Sequence, residues 1–419
     1  MIEVEQEQNQ KVKVLLIGEP DISLAELEGL CQTAGYEILR SVNLNRMEEN
    51  PVFGVGKGKA AELNALAKEL GADAIVFDFE LSPRKQRNWE KLTKLAVFDR
   101  QEVILRIFAD RAQTKEAVLQ VNLARLEYSL PRLAHMYSDM ARQRGGNYGS
   151  KGSGETQLEL DQRQIRDKIA FLKKELRQVV KDRQTQRKRR SKTPCPTVAI
   201  IGYTNAGKST LLNALTGAEV FVEDKLFATL DPTTRKLKLQ NNSSILLTDT
   251  VGFISNLPHS LVDAFKSTLE EAATADLQLL VLDSSDPHVI EQYETVIKVL
   301  GEIDADSIKR LIVLNKTDTP NPVDFMQNRL DELFPDAIKI SAKNKTGFDE
   351  LLNKVQDALL GPVCIFKLPH ERQDLVKEIR AHGILINEIW QEDFIQVSGR
   401  IGSEEGGKLI ALLKPYLLF

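Results

Sequence analysis

The stretch Val198-Ala199-Ile200-Ile201-Gly202-Tyr203-Thr204-Asn205-Ala206-Gly207-Lys208-Ser209-Thr210-Leu211-Leu212-Asn213-Ala214-Leu215 decides the fold of this 419-residue chain. An apolar run comes first, then a turn with the spacing G-x-x-x-x-G-K-S, then apolar residues at helical intervals. The order predicts a buried strand feeding a helix through a glycine-rich loop. Such a loop lets successive backbone N–H groups converge on phosphates. Lys208 would add a point charge on the β- and γ-phosphates, and the Ser209 hydroxyl would bind Mg²⁺.

Downstream segments decide which nucleotide such a loop would hold. Leu311-Ile312-Val313-Leu314-Asn315-Lys316-Thr317-Asp318 is an apolar strand ending in N-K-x-D. A carboxylate there can accept from the N1–H and 2-amino groups of guanine, donors that adenine lacks, and leaving it unpaired would be costly. Asn315 and Lys316 would brace the loop and cover the base, and Ser341-Ala342-Lys343 would offer a backbone N–H to the guanine oxygen. In Asp249-Thr250-Val251-Gly252, Asp249 would hold a Mg²⁺-bound water and the Gly252 amide would meet the γ-phosphate. In Phe227-Ala228-Thr229-Leu230-Asp231, Thr229 is preferred over Thr233 and Thr234 as the hydroxyl that joins the metal shell only with GTP bound. Hydrolysis would be in-line attack of water on the γ-phosphorus, with Lys208, Thr229 and Gly252 as the principal groups. Phe253 stands where Ras-like proteins keep a water-orienting Gln, which predicts slow intrinsic turnover.

Working outward, Lys11 to Ala109 alternates apolar runs (12–17, 36–42, 74–79, 95–98) with amphipathic stretches (24–34, 57–70, 82–94), the pattern of a small parallel α/β unit. Within it, Gly54-Val55-Gly56-Lys57-Gly58-Lys59 opens a helix and could hold an anion, although the P-loop spacer is missing. From Thr114, Leu119, Leu123, Leu126, Leu130 and Leu133 recur at helical steps, and Ile165, Ile169, Leu172, Leu176 and Val179 do so again. Two long helices are expected as an antiparallel hairpin, joined by a glycine-rich tip over 145–154. Arg142, Arg144, Tyr148 and Lys151 at that tip, and Arg187-Lys188-Arg189-Arg190 at the end of the second helix, are candidate RNA contacts. After Gly361-Pro362 comes a short strand, helix, strand, strand, helix tail.

The expected fold class is α/β: a P-loop GTPase domain with a mostly parallel sheet, preceded by a small α/β domain and the hairpin, followed by a small α+β domain. The expected boundaries are 1–112, 113–194, 195–361 and 362–419.

Composition limits the partners. With 56 Lys+Arg against 60 Asp+Glu the formal charge is −4, which argues against a uniformly basic surface. Over Asp161–Pro194, however, 13 Lys+Arg face 4 Asp+Glu, so the arm carries +9 and the remainder −13. Three cysteines without metal spacing point to a reducing compartment. The acidic start and the lack of an 18-residue apolar run point to a cytoplasmic protein with no membrane span. The five histidines are scattered without ligand spacing.

The GTPase motifs, together with Asp78-Phe79-Glu80-Leu81-Ser82-Pro83, Gln86-Arg87-Asn88, Asp99-Arg100, Leu119-Gln120-Val121-Asn122-Leu123-Ala124, Leu130-Pro131-Arg132-Leu133 and Gly152-Ser153-Gly154-Glu155-Thr156-Gln157-Leu158-Glu159, resemble the HflX family of translation-factor-related GTPases. The resemblance covers about residues 11–360, with weaker motifs in the tail. It implies a monomeric GTPase using GTP, GDP and Mg²⁺. Asn205 has two readings: its likeness to an amide that ligates K⁺ at this place in some related GTPases implies a K⁺ ligand, and the other is a residue that only stabilises the loop. It further implies association with the large ribosomal subunit, with the hairpin near the peptidyl-transferase region, and the splitting of stalled or idle ribosomes. An ATP-dependent activity on RNA through the N-terminal domain has been attributed to some members. Two other readings stay open, an RNA-binding GTPase of ribosome assembly or tRNA modification, and a hairpin scaffold with structural GTP.

Overall fold

A computed structural model describes residues 11–47, 50–143, 153–190, 195–217, 226–239, 244–255, 271–323, 325–401 and 407–418. Arg144, Tyr148 and Lys151 therefore lie outside the described residues, and so do the side chains of Arg142, Arg187, Lys188, Arg189 and Arg190. Contacts divide the chain into two bodies. The first comprises Met1–Lys188, Glu223–Asp231 and Asn256–Lys266, and the second Arg189–Val222, Pro232–Ser255 and Ser267–Phe419.

The first body opens with β1 (Lys13–Gly18), α1 (Ala25–Thr33), β2 (Glu37–Asn43), α2 (Lys57–Leu70), β3 (Ala74–Phe77), α3 (Pro83–Thr93), β4 (Ala96–Asp99) and α4 (Arg100–Arg111). The sheet is wholly parallel, in the order β2-β1-β3-β4. Val14, Leu15, Leu16 and Ile17 of β1 are fully buried, as both faces of a helix-covered parallel strand must be. Local chemistry sets the helix ends. Gly71 takes φ 65° to end α2, and Ser82 accepts from the Lys85 amide with Pro83 in the first turn of α3. Asp99 caps α4 by accepting from the Glu102 amide at 3.0 Å. Helix α4 was not anticipated as a separate element. Val103, Ile104, Leu105, Ile107 and Phe108 are all buried, and a helix packed on most of its circumference lacks an amphipathic stripe.

The long helices are α5 (Lys115–Gln143) and α6 (Ser153–Arg190), linked by the ion pairs Lys173–Glu127 at 2.7 Å and Lys115–Glu175 at 3.4 Å. A partly buried polar network centred on Asp99 fastens α5 to the sheet. Asp99, fully buried, accepts from Arg132 Nη2 at 3.0 Å and from the Tyr128 hydroxyl at 2.9 Å. Arg132 also donates to Gln86 Oε1 and the Leu81 carbonyl, and its guanidinium lies 3.3 Å from the centre of the Tyr128 ring. Pro131 breaks the helical hydrogen-bond ladder one residue before this anchor. On the other side of β4, Arg100 pairs with Asp78 at 2.7 Å and with Glu26.

The second body carries β5 (Thr197–Gly202), α7 (Lys208–Thr216), β6 (Thr233–Lys238), β7 (Ser244–Asp249), β8 (Leu277–Asp283), α8 (Val289–Glu302), β9 (Arg310–Asn315), α9 (Met326–Leu333), β10 (Ile338–Lys339) and α10 (Phe348–Leu360). Its sheet order is β10-β9-β8-β5-β7-β6, with every pair parallel except β6 against β7. Strand β5 has β8 on one side and β7 on the other, so connections leave it in both directions. That switch point opens a crevice at the carboxyl ends of the strands. Thr233 and Thr234 lie in β6, where Thr234 Oγ1 is 2.9 Å from Thr248 Oγ1. The tail forms an antiparallel sheet from β11 (Val363–Leu368), β12 (Ile384–Trp390) and β13 (Ile395–Arg400), order β11-β13-β12, with α11 (Gln373–His382) and α12 (Gly407–Leu413). Among the described residues, no helix is long and apolar enough to cross a membrane, and no group of three metal-ligating side chains converges.

Candidate functional site

The crevice at the end of β5 is built by close approaches. Gly202 takes φ 150°, and a Cβ there would lie 2.2 Å from the Val281 carbonyl oxygen. Gly207 takes φ 90°, and a Cβ there would lie 2.3 Å from Asn315 Nδ2. Both positions require glycine. Lys208 is buried and donates to the carbonyls of Gly202 at 3.1 Å and Tyr203 at 2.7 Å. Burial pulls its amine down to about 8, against the opposing charge of Asp249. Ser209 Oγ donates to Asp249 Oδ2 at 2.6 Å, which brings the two expected Mg²⁺ partners from α7 and β7 together. The Thr204 hydroxyl is buried and finds no partner among the described residues, as fits a loop built to receive a ligand. Asn205 is exposed at φ 60°, and Thr210 continues α7.

Thr250 and Val251 turn inward: the Thr250 hydroxyl donates to the Ile200 carbonyl at 2.8 Å and Val251 is buried. Gly252 lies against Thr204 and Lys208, and Phe253 is buried, so its ring is packed inside rather than presented to water.

Asn315 joins two loops. Its Nδ2 donates to the Ala206 carbonyl at 2.9 Å, and its Oδ1 accepts from the Ala342 amide at 3.0 Å. Ala342 thus has its amide already engaged. Lys316 pairs with Asp283 at 2.7 Å, and the Thr317 hydroxyl donates to the Ile340 carbonyl at 3.0 Å. Asp318 accepts from Ser341 Oγ at 2.6 Å. That bond first, then the charges of Lys343 and Lys316, hold the Asp318 carboxyl below its ordinary value, so it stays an anion ready to accept. Three supporting residues were not legible in the motifs: Asp283, Ser284, whose hydroxyl donates to the Asn315 carbonyl at 2.7 Å, and Asn321, which donates to the carbonyls of Ser284 and Asp286. They sit on neighbouring strand ends and loops, and no local pattern marks them.

Residues 21–109 match the family described as "GTP-binding GTPase N-terminal", 111–190 that described as "GTP-binding GTPase Middle Region", and 197–316 that described as "50S ribosome-binding GTPase". The GTPase HflX of Caldanaerobacter subterraneus subsp. tengcongensis is 42% identical over 408 residues, covering 96% of this chain and 94% of that protein. The Escherichia coli GTPase HflX is 43% identical over 341 residues, covering 81% and 80%. That of Treponema denticola is 48% identical over 347 residues, covering 81% and 88%. The chain belongs to the HflX GTPase family. It is a P-loop GTP-binding hydrolase, as the phosphate and base loops above require.

The segment Phe227–Asp231, expected at the nucleotide, belongs to the first body. Phe227, buried at φ 56°, sets its ring edge-on to Phe108 with centroids 4.6 Å apart, and Leu230 is buried as well. Asp231 accepts from the amides of Gln113 at 3.0 Å and Thr114 at 3.1 Å, and from the Thr114 hydroxyl. Thr114 in turn caps α5 by accepting from the Ala117 amide at 3.1 Å. Ala228 and Thr229, between these anchors, are half-buried. Gly56 precedes α2 without a side-chain cap, and Lys59 is paired with Glu62 at 2.8 Å.

Proposed function

We propose that this chain is a GTP-controlled switch that attaches to the large ribosomal subunit and separates stalled or idle ribosomes. The observation that carries the reading is one chain uniting a P-loop GTPase domain with a 38-residue helix, Ser153–Arg190, whose part from Asp161 onward has 12 Lys+Arg against 4 Asp+Glu. A charge excess of that size on a long arm suits phosphate contact, and the match to a family described as a 50S ribosome-binding GTPase supports the same partner. Arg142, Arg144, Tyr148, Lys151 and Arg187–Arg190 are the proposed RNA contacts. The protein acts as a cytoplasmic monomer.

At the nucleotide, the backbone of residues 202–210 holds the phosphates together with the Lys208 amine, Gly252 reads the γ-phosphate, and Asp318 reads guanine with Ser341–Lys343 beside it. The close Ser209–Asp249 pair fits Mg²⁺, which Ser209 would bind directly and Asp249 through water; when bound, the ion would neutralise phosphate charge. Lys208 and backbone N–H groups stabilise the charge that grows as water attacks in line. Phe253 supplies no group to orient that water, so intrinsic turnover is slow and a partner accelerates it. Asn205 is the proposed K⁺ ligand, and equal rates in K⁺ and Na⁺ would exclude it.

The test measures GTP turnover with and without isolated large subunits, alongside Lys208→Ala. Stimulation by subunits, and cosedimentation with them in a non-hydrolysable GTP analogue, are expected. An unchanged rate without cosedimentation refutes the ribosomal reading. Shortening 145–154 should spare GTP binding while impairing subunit separation in a light-scattering assay.

A further inference from the structure

Tyr203 belongs to the phosphate loop by position, yet its hydroxyl is directed at another segment. Tyr203 is buried, and its hydroxyl accepts from the Ser255 amide at 2.6 Å. Two backbone bonds lie beside this one. The Thr204 amide donates to the Phe253 carbonyl at 2.7 Å, and the Phe253 amide donates to the Gly202 carbonyl at 3.1 Å, so Tyr203 and Phe253 form a one-residue parallel bridge. The three bonds fasten Phe253 and Ser255 to the phosphate loop immediately after Gly252. Gly252 is thereby pressed onto that loop: a Cβ on it would lie 2.8 Å from Thr204 Cγ2 and 3.0 Å from Lys208 Nζ. The Gly252 backbone and the Lys208 amine, the two groups expected at a γ-phosphate, are thus brought to one point. Two of the three fastenings are backbone groups that any sequence supplies. The third exists because residue 203 is tyrosine.

We propose that Tyr203 is a positioning residue for the γ-phosphate: by holding the Ser255 backbone it sets where Gly252 stands, and so how strongly the protein prefers GTP to GDP. The inference rests on the reading of Gly252 as the γ-phosphate contact. A diphosphate makes no use of Gly252, so losing the hydroxyl separates the two nucleotides, whereas damage to the phosphate loop weakens both. Phenylalanine keeps the ring and removes the hydroxyl. A buried hydrogen bond of this kind corresponds to about fivefold in an equilibrium constant.

The experiment measures dissociation constants of GDP and a non-hydrolysable GTP analogue for the full chain by calorimetry, in Tyr203→Phe, Ser255→Pro, the double variant and Gly252→Ala. Tyr203→Phe should weaken the GTP analogue about fivefold and leave GDP within twofold. Ser255→Pro, which deletes the donor from the other side, should lower the same ratio, and the double variant should lower it no further. Equal weakening of both nucleotides, no change in either, or a tighter GTP analogue in Tyr203→Phe overturns the proposal. Gly252→Ala is expected to abolish the preference for GTP. If that preference survives, the assignment of Gly252 fails and takes the role of Tyr203 with it. If it is lost while Tyr203→Phe leaves the ratio intact, only the role of Tyr203 fails.

Discussion

Replacing Asp231 by alanine tests whether the Phe227–Asp231 motif is fastened to the root of the helical arm. The carboxylate accepts from the amides of Gln113 and Thr114, at 3.0 and 3.1 Å, and from the hydroxyl of Thr114, whose oxygen caps the first turn of α5. All three bonds are close to solvent, so each is worth about 0.5–1 kcal/mol rather than the value of a buried charged bond. Together they contribute about 2 kcal/mol, or roughly 30-fold in the equilibrium between fastened and released segment. The assay is amide hydrogen exchange at Gln113 and Thr114, the two donors themselves. Their exchange should rise about 30-fold in Asp231→Ala, while amides deeper in α5, bonded within the helix, keep their rates. Asp231→Asn retains acceptor capacity without the charge and should give a smaller rise. Exchange at Gln113 and Thr114 within twofold of the parent would refute the reasoning.

Asn315→Ala leaves the Ala206 carbonyl and the Ala342 amide without their partner at a site where Asn315 is only 2% exposed. GDP affinity should fall by about 2–4 kcal/mol, roughly 30- to 1000-fold, and calorimetry showing less than threefold would contradict the bracing role. In the proposed role at the phosphates Lys208 acts as a cation, and its amine is brought down to about 8 by burial. GDP affinity should therefore fall about tenfold from pH 7 to pH 9; a flat profile over that range would remove the argument. Glu102 is pushed up to about 7, first by burial and then by the charge of Asp99. Because the folded form holds this proton more tightly than the unfolded chain, the contribution is full below pH 4.5 and is lost as pH rises to about 7. The loss is about 2–3 kcal/mol, seen as a falling melting temperature, and Glu102→Gln should flatten that slope.

The nucleotide crevice was legible because its chemistry is local. Gly202, Gly207, Lys208 and Ser209 lie within one turn, and Val198–Ile201 of the preceding strand β5 are buried between parallel neighbours, where a continuous apolar run is unambiguous. Helix α2 is found over Lys57–Leu70, the span its periodicity marks, since one face meets the core and the other meets water. Helix α4 lacked that contrast. Strand β6 escaped the pattern because it is an antiparallel edge strand with three exposed positions, Thr234, Arg235 and Lys236, in its centre. The partners of Tyr203 and Asp231 were illegible for another reason. Ser255 lies 52 residues from Tyr203, and Thr114 lies 117 residues from Asp231, so only the folded chain brings them together.

The signature residues of the N-terminal region gain a physical meaning from the same long-range logic. Asp99, Arg132, Gln86 and Tyr128 are polar residues that a composition-based reading assigns to a surface, for instance one facing RNA. Folded, they satisfy one another: Arg132 reaches Asp99 across 33 residues and Gln86 across 46, with the Leu81 carbonyl taking a further donor. Once buried, such a set tolerates no partial removal, because deleting one member strands the charge or donor of the next. The network sits at a helix already interrupted by Pro131, where a hydrophobic seam alone would leave the direction of α5 poorly determined. Fixed bonds to β4 and α3 determine it instead. The arm is thus rooted twice in the first body. The partly buried network around Asp99 and Arg132 holds it firmly, and the exposed cap of Asp231 holds it weakly. A cap of about 2 kcal/mol opens far more readily than the Asp99–Arg132 network, whose rupture would strand a charge away from water.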